Sequence, residues 1–279
     1  MPQFEDSSWF VFFRSTIKFL TYKSYVVISS LSNFFLTVGG SRFQPPFWGI
    51  IQPMAKALLF LLDWSEVWAP LIPLVFFLFH RDQPRYLRPV VVYVFLAFFL
   101  NLAIDLISEL KPTYVPESVS NNPLYNIHSI LRFLCFASFF TLLGQRDFAG
   151  LRKAIPILSL ATITVNFLFF EHFWNPDTLS GNLLATEAYL LLVYCMLYYL
   201  SKLRDDRTEF TATPDFWVVT GLAIYVVVNF FVFLFYVPMI EKDLPLALNI
   251  WNLHNIAYII FCIFITRALY GSTRHQFAG

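Results

Sequence analysis

The chain has 279 residues, of which 58% are hydrophobic and only 13% charged, with 34 Phe and a mean hydropathy of +0.62. A soluble domain carries about 25% charged residues, so this composition excludes an ordinary soluble fold and points to a polytopic membrane protein. A net charge of +1 excludes a nucleic-acid binder that works through a basic surface.

Residues 1–53 stand apart from the rest. Arg14, Lys18 and Lys23 precede an apolar run at 25–38 that ends at Gly39-Gly40-Ser41. Three readings fit this N-terminal extension: an extra helix entering from the cytoplasm, a signal-like segment that is removed, or sequence ahead of a true start at Met54. The domain of interest is therefore 54–279.

A membrane-spanning helix needs roughly 20 mostly apolar residues. That template predicts helices over 57–79, 90–110, 124–144, 153–171, 181–202, 215–237 and 249–270. Pro89, Lys111-Pro112, Asn121-Asn122-Pro123, Gly150, Asn175-Pro176, Pro214 and Pro245 punctuate the gaps, as helix breakers should. Pro70 and Pro73 fall inside the first helix and predict a kink whose freed carbonyls are satisfied by neighbours. The expected fold is all-α, a seven-transmembrane-helix bundle. Cys135, Cys195 and Cys262 lie inside these helices, so no disulfide framework is implied.

Basic residues of short loops set the expected orientation. Arg81, Arg85 and Arg88, then Arg146, Arg152 and Lys153, then Lys202, Arg204 and Arg207, and last Arg267 and Arg274 all fall on one side. The alternate loops hold only Lys111 and Lys242. The start of the first helix is expected outside and the C-terminus in the cytoplasm, which suits the plasma membrane (bacterial inner membrane).

Polar residues inside the spans are expected in the outer half. They include Asp63, Glu66, Asn101, Asp105, Glu109, Asn126, His128, Arg132, Asn166, Glu187, Asn229, Asn252, His254 and Asn255. The inner half reads as an aliphatic and aromatic plug. Neighbours on a helix lie three or four residues apart, so Asn101, Asp105 and Glu109 form one stripe, and Tyr125, His128, Ser129 and Arg132 another. Ser159, Thr162 and Asn166 make a third, Gly221, Tyr225 and Asn229 a fourth, and Trp251, His254, Asn255 and Tyr258 a fifth. Glu187 sits above Tyr194 and Tyr198 on the fifth helix. Ionisable groups at membrane depth face a bundle interior or a wet cavity. The stripes therefore predict a ligand-binding pocket of Asp105, Glu109, His128, Arg132, Glu187, Asn229, His254 and Asn255.

With a rise of about 1.5 Å per residue, Arg132 lies roughly 12 Å below its helix start, well inside a core of about 30 Å. It must pair with an acid, and depth makes Asp105 the first choice over Glu109 and Glu187. A structural ion pair that locks helices together explains the arginine equally well. His128 and His254 with Glu109 or Asp105 resemble a two-His, one-carboxylate metal set. Interhelical hydrogen bonding explains the same histidines without a metal. Ser129 beside His128 points about 100° away from it on the helix, a poor nucleophile–base geometry. No P-loop, dinucleotide fingerprint, nucleophile elbow or paired-His metal motif occurs, so neither cofactor nor metal is expected. Trp64, Trp68, Trp174 and Trp251 fit an interfacial aromatic belt.

The topology matches rhodopsins and seven-helix receptors, but their signature motifs are missing. The stretch Asn121-Asn122-Pro123-Leu124-Tyr125-Asn126-Ile127-His128-Ser129-Ile130-Leu131-Arg132-Phe133 resembles a segment of uncharacterised bacterial seven-helix integral membrane proteins. Trp251-Asn252-Leu253-His254-Asn255-Ile256 does so less sharply. Some of those proteins are similar to membrane sensor portions of signalling kinases. The resemblance implies a sensor without implying a catalytic residue, and here no output domain follows the last helix.

The expected function is a non-enzymatic sensor or receptor-like module in the lipid bilayer. Its outward-facing pocket would take an outer-side ligand or a proton, and a cytoplasmic or membrane signalling partner would carry the response. The alternative is a membrane-embedded enzyme acting on lipid or a lipid-linked substrate. A transporter fits less well, since seven helices do not divide into inverted halves.

Overall fold

The computed structural model describes residues 57–110, 120–144, 147–174, 179–204 and 213–277. The N-terminal extension at 1–53 lies outside the described residues. Within them the regular structure is helical: α1 (Ala57–Asp63), α2 (Ser65–Trp68), α3 (Leu71–Phe79), α4 (Arg88–Leu110), α5 (Asn122–Leu142), α6 (Ala149–Phe169), α7 (Gly181–Arg204), α8 (Pro214–Lys242) and α9 (Leu244–Phe277). A 3₁₀ turn, Arg85–Leu87, leads into α4.

Proline punctuates the chain where the physics allows it. Pro123 and Pro214 sit in the first turns of α5 and α8, where the missing N–H costs nothing and the fixed φ suits the helix. Pro70 acts differently. It cannot donate to the carbonyl four residues back, which is that of Glu66, and Asn101 on α4 fills the gap by donating its Nδ2 to Glu66 O at 2.9 Å. The first predicted span is thus broken, and its sharpest bend, 56°, falls at Trp64 between Asp63 and Ser65 rather than at the prolines.

Five helices are long and apolar enough to cross a membrane: Arg85–Leu110, Ala149–Phe169, Gly181–Arg204, Pro214–Tyr236 and Leu246–Ser272. The bent pair Ala57–Asp63 and Ser65–Phe79 makes a sixth if it is one span. Helix α5 is not among them, because Asn122, Asn126, His128, Ser129 and Arg132 lower its hydropathy. Among the described residues the chain is thus all-helical as expected, and five or six of its helices carry the composition of a span.

Successive long helices run antiparallel, as paired contacts show: Tyr93 against Phe136 for α4–α5, Tyr189 against Phe230 for α7–α8, and Phe233 against Trp251 for α8–α9. Arg81, Arg85, Arg88, Arg152, Lys153, Lys202, Arg204 and Arg267 consequently gather at one end of the bundle, the basic end. The middle is an aromatic and aliphatic core built around Tyr93, Phe136, Phe139, Phe140, Leu191, Tyr194 and Phe261. Phe140 stacks on Tyr194 with centroids 4.9 Å apart, and Phe136 meets Tyr93 edge-on at 5.0 Å. Helix α6 is peripheral, with Ile157, Leu160, Leu168 and Phe169 exposed.

The most extensive interface joins α8 and α9, and Gly221 lets them approach. A methyl group there would meet the Phe264 Cβ at 2.5 Å, closer than any real contact and with no flexible tip to move aside. Gly221→Ala is expected to lower stability by about 1–3 kcal/mol through overpacking, and Gly221→Val by more. Thermal unfolding of the detergent-solubilised protein measures it. An unchanged midpoint in both variants would show that the helices are free to separate.

Candidate functional site

The bundle centre holds an ion pair and an acid–histidine contact on opposite sides of one small space. The first is built by α5 and α7. Arg132 donates Nε to Glu187 Oε1 at 2.6 Å and Nη2 to Glu187 Oε2, and its Nη1 reaches the Tyr225 hydroxyl of α8 at 2.6 Å. Ser129, one turn earlier on α5, donates to Glu187 Oε2 at 2.7 Å. Arg132 and Glu187 are each 4% exposed. A fork-to-fork pair of this kind matches guanidinium and carboxylate geometry, and the extra donors satisfy the remaining lone pairs.

The expectation that Asp105 is the partner of Arg132 is corrected: the acid is Glu187. Depth along a straight helix misjudged it. Helix α7 runs parallel to α5 and sets Glu187 level with Ser129 and Arg132, whereas Asp105 is one turn further along α4 than Asn101, which turns to the Glu66 carbonyl. The bond to Glu187 also places the Ser129 hydroxyl outside any nucleophile–base pair with His128.

The second pair joins the broken first span to α9. His254 Nε2 lies 2.9 Å from Glu66 Oε1, and its Nδ1 lies 2.6 Å from Asn229 Oδ1 of α8. Glu66 and His254 are both buried. With Nδ1–H donated to the asparagine oxygen, the contact to Glu66 needs one proton between them. It is carried either as imidazolium facing carboxylate or as neutral imidazole accepting from a carboxylic acid. Removing that proton sets two lone pairs against each other.

Between the pairs lies a cavity of about 10 Å³, lined by Glu66, Asn101, Tyr125, His128, Ser129, Arg132, Leu184, Tyr225, Phe233, Trp251, His254 and Tyr258. That is about the least space in which one water fits. Three buried polar atoms of the lining residues, His128 Nε2, Asn101 Oδ1 and Glu66 Oε1, have no geometrically formed hydrogen bond among the described residues, although Glu66 Oε1 lies 2.9 Å from His254 Nε2. A buried polar atom without a partner is costly in an apolar bundle. Toward the end opposite the basic one, Tyr125 and Trp251 cover the cavity, their rings edge-on at 6.0 Å, and Trp251 rests on His254 at 5.0 Å.

Of the residues expected from sequence, His128, Arg132 and His254 line this cavity. Glu187 and Asn229 hold them from behind. Asn255 is buried beside His254 but is not in the lining, and its amide has no partner among the described residues. Asp105 and Glu109 are only partly buried and lie outside the lining, so the α4 stripe leaves the site after Asn101. The pocket expected from sequence leaves out Glu66, Asn101, Tyr125, Ser129, Tyr225, Trp251 and Tyr258, although all but Glu66 lie on the polar stripes and Glu66 among the outer-half polar residues. Glu66 was detectable, being the acid four residues before a mid-span proline. Among the described residues no three His, Cys, Asp or Glu side chains gather as a metal site, so the two-His, one-carboxylate set is not assembled.

The basic end is more polar than the expected plug. Tyr198 donates to Asp215 at 2.8 Å, Lys202 pairs with Asp215 at 3.2 Å, and Ser201 donates to Asp147 at 2.9 Å. The plug is real but confined to the middle of the bundle, with a second polar layer below it.

Breaking the Arg132–Glu187 pair leaves a buried charge, so Arg132→Ala and Glu187→Ala are each expected to cost about 3–5 kcal/mol. The double variant should lose clearly less than their sum, as read by unfolding in detergent. Additive losses would mean that the pair does not couple α5 to α7. No family model, no curated protein and no solved structure matches this chain.

Proposed function

We propose that the chain is a seven-span plasma-membrane module that responds to protonation, with its basic end in the cytoplasm and α5 crossing the membrane inside the bundle. The observation that carries this reading is the central cavity: it has room for one water, not for an organic ligand, and it is walled by Glu66, His254, His128 and the Arg132–Glu187 pair. A site that small recognises a proton or a water. The orientation rests on the collection of basic residues at one end of alternating helices. The polarity of α5 is compatible with spanning, because its polar residues are buried against other helices.

The switch is the proton shared by Glu66 and His254. While it is present, the short helix α2 is docked on α9. As pH rises and the proton leaves, the facing lone pairs repel and α2, already separated from α1 by a 56° bend, is released. A two-state element biased by one titrating contact is the usual form of such sensors. Helix α9 carries His254 and continues to the basic end, where a signalling partner would read the change.

A second reading, a membrane enzyme acting on lipid, draws on a lateral groove between α6, α7 and α8. Thr162, Asn166, Asn182 and Thr186 line it among apolar residues, and a smaller space reaching Ser129 and Glu187 adjoins it. The sensor reading is preferred because the groove brings no acid–base pair to an open face.

Hydrogen exchange over residues 64–70 tests the sensor. Corrected for intrinsic rates, exchange should be faster at alkaline than at acidic pH. In Glu66→Gln the amide can donate to a neutral imidazole, so the contact persists and the pH effect should vanish. A pH effect that survives in Glu66→Gln, or one missing from the native chain, would overturn the reading.

A further inference from the structure

A second concave site lies at the basic end, away from the central cavity. The segment between α3 and α4 and the start of α4 form a groove of about 670 Å³, lined by Phe77, Arg81, Asp82, Gln83, Arg88, Val91 and Val92. Its chemistry is divided. Phe77, Val91 and Val92 make an apolar wall that continues along the two helices into the bundle's depth. Arg81 and Arg88 stand at the rim, both exposed.

The two guanidiniums differ from Lys202, Arg204 and Arg267 at that end. Lys202 is paired with Asp215, Arg204 lies over the Phe148 ring at 4.8 Å, and Arg267 lies over Trp217 and Tyr270. Among the described residues neither Arg81 nor Arg88 pairs with a carboxylate or stacks on a ring. Asp82 is the acid of the lining, so the groove keeps an excess of positive charge. Helix α4 starts at Arg88, and the positive end of its dipole adds to that excess. The floor is fixed: Gln83 donates Nε2 to His80 O at 2.9 Å and accepts from Ser272 of α9.

We infer that this groove binds an anionic phospholipid, its phosphodiester held by Arg81 and Arg88 and one acyl chain laid along Phe77, Val91 and Val92. The charge is complementary, and the apolar wall runs in the direction an acyl chain takes from a headgroup at the membrane surface. Basic pockets between spanning helices take anionic headgroups on these grounds. The site ties α3 to α4, the segment directly after the broken first span, so a bound lipid would brace the half of the bundle that carries Glu66.

The test uses the full chain in detergent, titrated with phosphatidylglycerol or with phosphatidylcholine of the same acyl chains, and counts bound lipid by native mass spectrometry. Phosphatidylglycerol is expected to bind at least about tenfold more tightly. The double variant Arg81→Ala, Arg88→Ala should lose that preference, and Val92→Trp, which keeps every charge but fills the apolar wall, should weaken binding. Arg85→Ala, an exposed arginine outside the groove, should bind like the native chain, with unfolding temperatures confirming that all variants are folded. Equal affinity for the two lipids would overturn the inference. So would an Arg85→Ala loss as large as that of the double variant, or undiminished binding by Val92→Trp.

Discussion

A guanidinium buried in the middle of an apolar bundle constrains everything around it. Arg132 cannot shed its charge and cannot reach water, so the chain must bring it an acid, and that acid must come from another helix. Glu187 supplies both oxygens, while Ser129 and Tyr225 complete the set. Three helices, α5, α7 and α8, are thereby fixed in depth and rotation relative to one another. The aromatic layer beneath them, Phe136, Phe140, Tyr194 and Phe261, packs in a register that this cluster sets.

The Glu66–His254 contact is of another kind. It too is a buried acid facing a basic side chain, but one partner sits on a four-residue helix between two interruptions of the chain. An ion pair between long, well-packed helices is backed by many neighbouring contacts, whereas a contact from a short broken segment has few. Asn101 strengthens the contrast. Its bond to the Glu66 carbonyl repairs what Pro70 removes, so the broken segment stays anchored to α4 by one hydrogen bond while its carboxylate faces α9. The two contacts thus share one cavity wall but hold elements of very different length.

Polar groups at the basic end serve a different purpose. Tyr198, Lys202 and Asp215 tie α7 to α8, and Ser272 ties α9 to Gln83 ahead of α4. These contacts close the basic end of the bundle. They leave Arg81 and Arg88 turned outward, and the two ends of the molecule differ accordingly: one gathers charge inside, the other presents it.

Much of the architecture is legible in the residues themselves. Helical length, the proline and asparagine breakers, and the alternation of basic loops follow from the cost of leaving backbone or charge in lipid, and that cost is local to each segment. The same reasoning singles out His128, Arg132, Glu187 and His254 as inward-facing, because a lone polar residue on an apolar helix has nowhere else to go. Which of them meet is not local. Glu187 rather than Asp105 answers Arg132 because α5 and α7 run parallel at matching depth, a relation no single helix records. Glu66 joins the site because the first span breaks beside it and α9 passes alongside, and the narrowness of the cavity arises from aromatic side chains contributed by α5, α8 and α9 together. Sequence determined which groups must be buried, since solvation acts residue by residue. Tertiary packing decided how they pair and how much space remains, since those depend on several helices at once.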